Sequence, residues 1–198
     1  MEKQSKDTRS EIIEAARSEY FSNGYKGARL QNIADHIGVT KAMIHYYFNT
    51  KKELFEQVFR QSVEEVFGDL GPVLEADMPL FKKIEQLVVH CLQKAEAFPH
   101  ALAFVITESR RQPGWLQPIF EKEVRLNLES FNQELEQAAS NYEIASVTAA
   151  ALLLNIFSLC YYPVVAAPVN HSLGLSGAAQ NSLNKGLVLD TILNWLTA

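Results

Sequence analysis

The chain has 198 residues, 47% of them apolar and 21% charged, which is enough to bury a substantial core in one or two domains. A net charge of -5 argues against a generally basic, nucleic-acid-coating surface, but the charge is uneven: residues 1–52 carry +3 and the remainder -8. The charged start MEKQSKDTR does not read as a secretory leader, and Cys91 and Cys160 lack CxxC spacing, so a reducing cytoplasm is the expected setting. The five histidines offer neither a close ligand pair nor an HExxH pattern, so no metal or cofactor is expected.

From Thr8 to Asn23, the residues Ile12, Ile13, Ala16, Tyr20 and Phe21 recur at helical spacing, and Gly24 closes the segment. The stretch LQNIADHIGVTKAMIHYYF, Leu30 to Phe48, then has the layout of a helix-turn-helix. Ile33 and Ile37 form an apolar i, i+4 pair, and Ala34 is small enough for a second helix to cross close over it. Gly38 suits the left-handed corner, and Thr40 is placed to cap the next helix. In that helix Ile44, Tyr47 and Phe48 face inward, while Lys41, Ala42, His45 and Tyr46 form two i, i+4 pairs on the outside. The outer set suits a major groove: a cation, a small residue for close approach, and two hydrogen-bonding aromatic rings.

Thr8 to Phe55 resembles the DNA-binding domain of the TetR family of transcriptional regulators. The resemblance is carried by Thr8-Arg9 with Ile12 and Ile13, Ala15-Ala16, Phe21 before Gly24-Tyr25, Ile33-Ala34, Gly38-Val39, Tyr47-Phe48, and Lys51 with Leu54. It implies an all-α fold: an N-terminal three-helix DNA-binding domain, joined by a fourth helix to a helical ligand-binding and dimerisation domain. It also implies that Lys51, in the first turn of the fourth helix, grips a phosphate. Where the family often has a hydroxyl residue this chain reads Ala28-Arg29, so Arg29 is expected to take over a phosphate contact. The helix starting there is expected to lose about 1 kcal/mol of capping. Thr40, Lys41, Ala42, His45 and Tyr46 complete the expected DNA-contacting set, with His45, where tyrosine is frequent, setting operator preference.

Beyond the reader, Asn49-Thr50 caps a helix from Lys51 to about Gly68 with Leu54, Phe55, Val58, Phe59, Val63 and Phe67 as its buried stripe. The domains are drawn at residues 1–50 and 51–198, and the glycines and prolines of Gly68 to Pro79 read as a loop. Helices are predicted over roughly 79–97, 99–111, 115–140, 143–166 and 180–196, with a break from Pro168 to Gly177. No charged residue occurs between Glu143 and Lys185, and Val147 to Ala167 is long enough for a membrane span, but Asn155, Ser158, Tyr161, Tyr162 and Pro163 interrupt that segment and no Lys or Arg flanks it. It is therefore expected to pack against its own domain and a second copy of the chain rather than to span a membrane. The last two helices are the expected homodimer interface, since two from each subunit make a four-helix bundle.

Phe98, Phe104, Trp115, Phe120, Phe131, Phe157 and Tyr161 are candidates for lining an apolar effector pocket. No GxSxG, GxxxxGK or GxGxxG signature points to an enzyme. The expected function is a ligand-responsive repressor, binding a palindromic DNA operator as a dimer and released by a small apolar or amphipathic effector. The alternative is a small helical enzyme or lipid-binding protein.

Overall fold

The computed structural model describes residues 2–141 and 143–198, with side chains from Thr8 onward. Among the described residues there is no strand. The helices in chain order are α1 (Glu2–Gly27), α2 (Leu30–His36), α3 (Lys41–Tyr47), α4 (Lys51–Phe67), α5 (Leu70–Glu75), α6 (Leu80–Ala97), α7 (Pro99–Arg111), α8 (Pro113–Glu123), α9 (Leu128–Ser140), α10 (Ala149–Val165), α11 (Ala167–Ser172), α12 (Ser176–Ser182) and α13 (Lys185–Thr197).

The chain forms two compact units, the first made of residues up to Glu64 together with Phe104–Glu123, the second of Glu65–Ala103 with Val124–Ala198. In the first unit the apolar faces of α1 to α4 meet in one core containing Ile12, Ala16, Tyr20, Ile33, Ala34, Ile44, Phe48, Leu54, Phe55 and Val58, all essentially removed from water. Phe55 is the centre of its aromatic part. Tyr20 and Tyr25 of α1 lie 5.0 Å from it, Trp115 of α8 5.3 Å and Phe104 of α7 5.6 Å, and three of these four contacts are edge-on. Phe59, one turn further along α4, meets Phe104 and Phe120 at 6.0 Å each. Fifty residues bury too little surface to be comfortably stable alone, and residues 104–123 supply the missing rings.

In the second unit α6 packs against α5, α10 and α13, and α10 in turn meets α9, α11, α12 and α13. Ile84, Leu87, Val88 and Cys91 of α6, Phe131 and Leu135 of α9, Leu152, Ile156 and Cys160 of α10, and Ile192 and Leu196 of α13 are buried. Lys83 is buried with them, and its ammonium donates to both carboxylate oxygens of Glu134 at 2.6 and 2.8 Å. It also lies 5.8 Å from the Phe131 ring centroid.

Several boundaries differ from the sequence-based expectations. The loop over 68–79 contains α5, in which Leu70 and Leu74 are a buried i, i+4 pair and Pro72 lies near the helix start, where its missing N–H breaks no helical bond. The helix over 115–140 is two helices: Asn127 interrupts it, its side chain accepting from Ser130 N at 3.3 Å to start α9. Thr148 likewise starts α10 by accepting from Ala151 N, and Asn184 starts α13 by accepting from Gly186 N and Leu187 N. The expected break from Pro168 to Gly177 holds α11 and the start of α12.

Truncating Phe55 removes the group on which three other helices converge. Phe55→Ala is expected to destabilise the protein by about 3–5 kcal/mol in urea unfolding, a loss that Phe120→Ala, at the partly exposed margin, does not reach.

Candidate functional site

The helix-turn-helix is built from its corner outward. Gly38 has φ 68°, the left-handed value that a side chain disfavours, and Val39 N donates to Ala34 O at 3.0 Å to close the turn. Thr40 is extended, and its Oγ1 accepts from Met43 N at 3.2 Å, so α3 starts on a side-chain cap. Ile44 and Phe48 are buried, while Tyr47 is only half-buried, its ring 5.1 Å from that of Tyr46.

Lys41, Ala42, His45 and Tyr46 stand together on the open side of α3, and Tyr46 is 79% exposed. His45 Nδ1 is 3.3 Å from Asn49 O. A carbonyl only accepts, so Nδ1 carries the proton in the neutral ring and Nε2 is left as an outward-facing acceptor. The α3 surface thus presents a cation, a methyl, an acceptor ring and a phenol in one patch.

As expected, Arg29 at the N-cap position of α2 has no side-chain cap. Glu19 of α1 instead holds this position from outside: Oε1 accepts from the Arg29 backbone N–H at 2.9 Å and from Asn32 Nδ2 at 3.0 Å. The Arg29 side chain remains exposed. At the start of α4, Thr50 Oγ1 accepts from Glu53 N at 3.0 Å while Glu53 Oε2 accepts from Asn49 N and Nδ2 at 3.1 Å, a near relative of the capping box.

Lys51 is held back from solvent. Its ammonium donates to Ala28 O and lies 5.0 Å from the centroid of the Tyr25 ring, and its own carbonyl accepts from Tyr20 Oη at 3.1 Å. Partial burial lowers its pKa, against an upward pull from Glu19. It therefore ties the start of α4 to the end of α1, a structural role that sequence reasoning missed. Tyr25 was missed as well, because its position after a helix-ending glycine gives no periodic signal.

The seven pocket candidates fall into both units. Phe104, Trp115 and Phe120 belong to the first, where Trp115 Nε1 also donates to Glu56 Oε1. Phe98, Phe131, Phe157 and Tyr161 belong to the second, where Phe157 stacks on Tyr161 at 5.3 Å and both meet Phe67 edge-on. Burial pushes the Tyr161 phenol well above its usual range. None of the seven lines the cleft of about 480 Å³ formed in the second unit by the first turn of α7, the end of α10, and α11 and α12. That cleft is bordered by Pro99, His100, Ala103, Pro163, Asn170 and Gln180 among others, and carries no Asp, Glu, Lys or Arg side chain. A neighbouring cleft of about 730 Å³ shares Pro99, Val164, Gln180 and Leu183 with it. Among the described residues no group of three or more His, Cys, Asp or Glu side chains is arranged to hold a metal ion.

Residues 12–58 match the sequence profile described as bacterial regulatory proteins, tetR family. This N-terminal segment is similar to the corresponding segment of that family. It is 24% identical to the HTH-type transcriptional regulator YhgD of Bacillus subtilis, over 66% of this chain and 68% of that one. Matches to the repressor KstR2 of Mycolicibacterium smegmatis and the regulator TtgR of Pseudomonas putida span 46% and 35% of their length. The fold of the whole chain is similar to that of HlyIIR, a hemolysin II transcriptional regulator, which superposes with a TM-score of 0.66 at 18% identity, covering 98% of this chain and 99% of its own. FadR of Bacillus subtilis, in complex with stearoyl-CoA, superposes with a TM-score of 0.62 at 18% identity, covering 94% and 98%.

Thr40→Ala is expected to cost about 1 kcal/mol in unfolding, and Glu19→Ala about 1–2 kcal/mol because it leaves Arg29 N and Asn32 Nδ2 without their acceptor. Urea titrations followed by circular dichroism check both.

Proposed function

We propose that the chain is a regulator of the tetR kind that acts by binding and not by catalysis: as a cytoplasmic homodimer it recognises a palindromic DNA operator and represses transcription until a small effector releases it. The observation that carries the reading is the single exposed patch of Lys41, Ala42, His45 and Tyr46 on a capped α3 whose opposite face is buried. In the major groove, His45 Nε2 accepts from an exocyclic amine of adenine or cytosine, Ala42 permits close approach, and Lys41 and Tyr46 meet guanine or phosphate. Arg29 takes a phosphate beside the start of α2, and the Thr40 hydroxyl and Lys51 ammonium approach the backbone at the starts of α3 and α4. In this division of labour residues 1–50 read DNA and residues 51–198 bind the effector and dimerise.

Dimerisation is supported by two exposed stripes. Leu154, Ser158 and Tyr162 on α10, and Leu187, Thr191 and Trp195 on α13, each recur at i, i+4, i+8, and α10 packs against α13. Two such pairs about a two-fold axis make a four-helix bundle, and two heads about 34 Å apart then reach successive major grooves. No helix among the described residues is long and apolar enough to cross a membrane. For the effector, the uncharged lining of the 480 Å³ cleft supports a small apolar or amphipathic molecule.

Selection of duplexes from a random pool tests this reading. The wild-type protein is expected to enrich an inverted repeat with affinity that falls steeply with salt, and no enrichment even in dilute buffer would sink it. Lys51→Ala is expected to weaken all sequences alike and lower the salt slope by about 1, whereas His45→Ala changes which bases are preferred. Leu154→Glu combined with Leu187→Glu is expected to yield monomers by light scattering and at least a tenfold loss of affinity, about 1.4 kcal/mol.

A further inference from the structure

Glu108 of α7 is a nearly buried carboxylate, its side chain 2% exposed, placed against the one break in α1. A carboxylate taken out of water must be hydrogen-bonded. One oxygen accepts from Arg111 Nη1 at 2.9 Å, and the other from the backbone N–H of Tyr25 at 3.3 Å. In an unbroken helix the Tyr25 amide would bond the carbonyl four residues earlier. Gly24, with φ 63° and ψ -179°, turns that amide away, and Ala28 N bonds Gly24 O at 3.1 Å to begin a new turn. The glycine also makes room: a Cβ there would lie 2.6 Å from Glu108 Oε1 and 2.8 Å from Arg111 Nη1.

The six residues from Gly24 to Arg29 set where α2 begins. They are pinned at three points: Tyr25 N by Glu108, Ala28 O by Lys51, and Arg29 N by Glu19. Two of these anchors lie within the DNA-reading segment itself. The third comes from α7, whose first turn, with Pro99, His100 and Ala103, lines the uncharged cleft. We infer that Glu108 is a positioning residue for DNA recognition, which through the Tyr25 amide fixes the break in α1 and with it the placement of α2 and α3. The inference rests on the proposed DNA-binding function, and it makes the state of α7 a condition for an assembled reader.

The test compares Glu108→Ala, Glu108→Asp and Glu108→Gln in the full-length dimer, on the duplex that the wild-type protein selects. Aspartate keeps the charge but is one methylene too short, whereas glutamine loses the charge but still presents an oxygen to the Tyr25 amide. Glu108→Ala and Glu108→Asp are expected to weaken binding at least tenfold and to speed hydrogen exchange at the Tyr25 amide by about tenfold or more, while Glu108→Gln stays within about threefold of wild type. Ile84→Val, which removes a buried methylene group from α6, is the control: it lowers thermal stability and leaves affinity and Tyr25 exchange unchanged. Should Glu108→Ala fail to fold, the aspartate and glutamine variants carry the comparison. Equal binding by the aspartate variant and wild type, or unchanged Tyr25 exchange in both short variants, would overturn the inference. If the wild-type protein selects no duplex, the proposed function falls, and the exchange rates alone decide whether Glu108 holds the break.

Discussion

The first unit depends on the ring of Phe55. Tyr20, Tyr25, Phe104 and Trp115 converge on it from both ends of that unit's sequence, so the DNA-reading helices share their core with a segment that begins at residue 104. A helix-turn-helix needs rigidity because base readout tolerates little displacement, and three short helices cannot supply it from their own buried area. Here α4, α7 and α8 supply it. Lys51 adds a polar tie, linking the start of α4 to the last turn of α1 and lying over the Tyr25 ring.

The reader is held as much by borrowed caps as by apolar contact. Thr40 caps α3 locally, whereas α2 starts on an arginine without a side-chain cap, and Glu19 of the preceding helix fixes that residue by accepting from its backbone N–H. The broken end of α1 starts its last turn on the carboxylate of Glu108. Each arrangement satisfies a backbone amide that would otherwise be orphaned at a helix start, and each makes the position of one helix depend on another.

This explains what was legible in the sequence. The order and type of the N-terminal helices, the Gly38 corner, the Thr40 cap and the outward set on α3 are local features, fixed by residues three or four apart, and the structure has them where the sequence puts them. The missed boundaries at Asn127, Thr148 and Asn184 were also local. A polar residue with good capping ability stood inside or beside an apolar run, and its competition for the next amides outweighed the periodicity. What no local pattern contains is partnership at long range. Nothing about Glu19, Glu108 or Tyr25 in isolation marks them as structural, because their partners are 10, 83 and 30 residues away. The seven aromatic pocket candidates illustrate the same limit: hydrophobicity identified rings that would be buried, and could not say that three of them would complete the core of the DNA-reading unit.

Residues 104–123 and helices α1 to α4 form one cooperative unit. Native-state hydrogen exchange of the full-length protein under graded denaturant measures this directly, since segments that open together share an opening free energy and a denaturant slope. Amides of α8 and the second half of α7 are predicted to follow the same isotherm as those of α1 and α4. If they instead merge with α6 and α10 while α1 to α4 open on their own, the claim is contradicted.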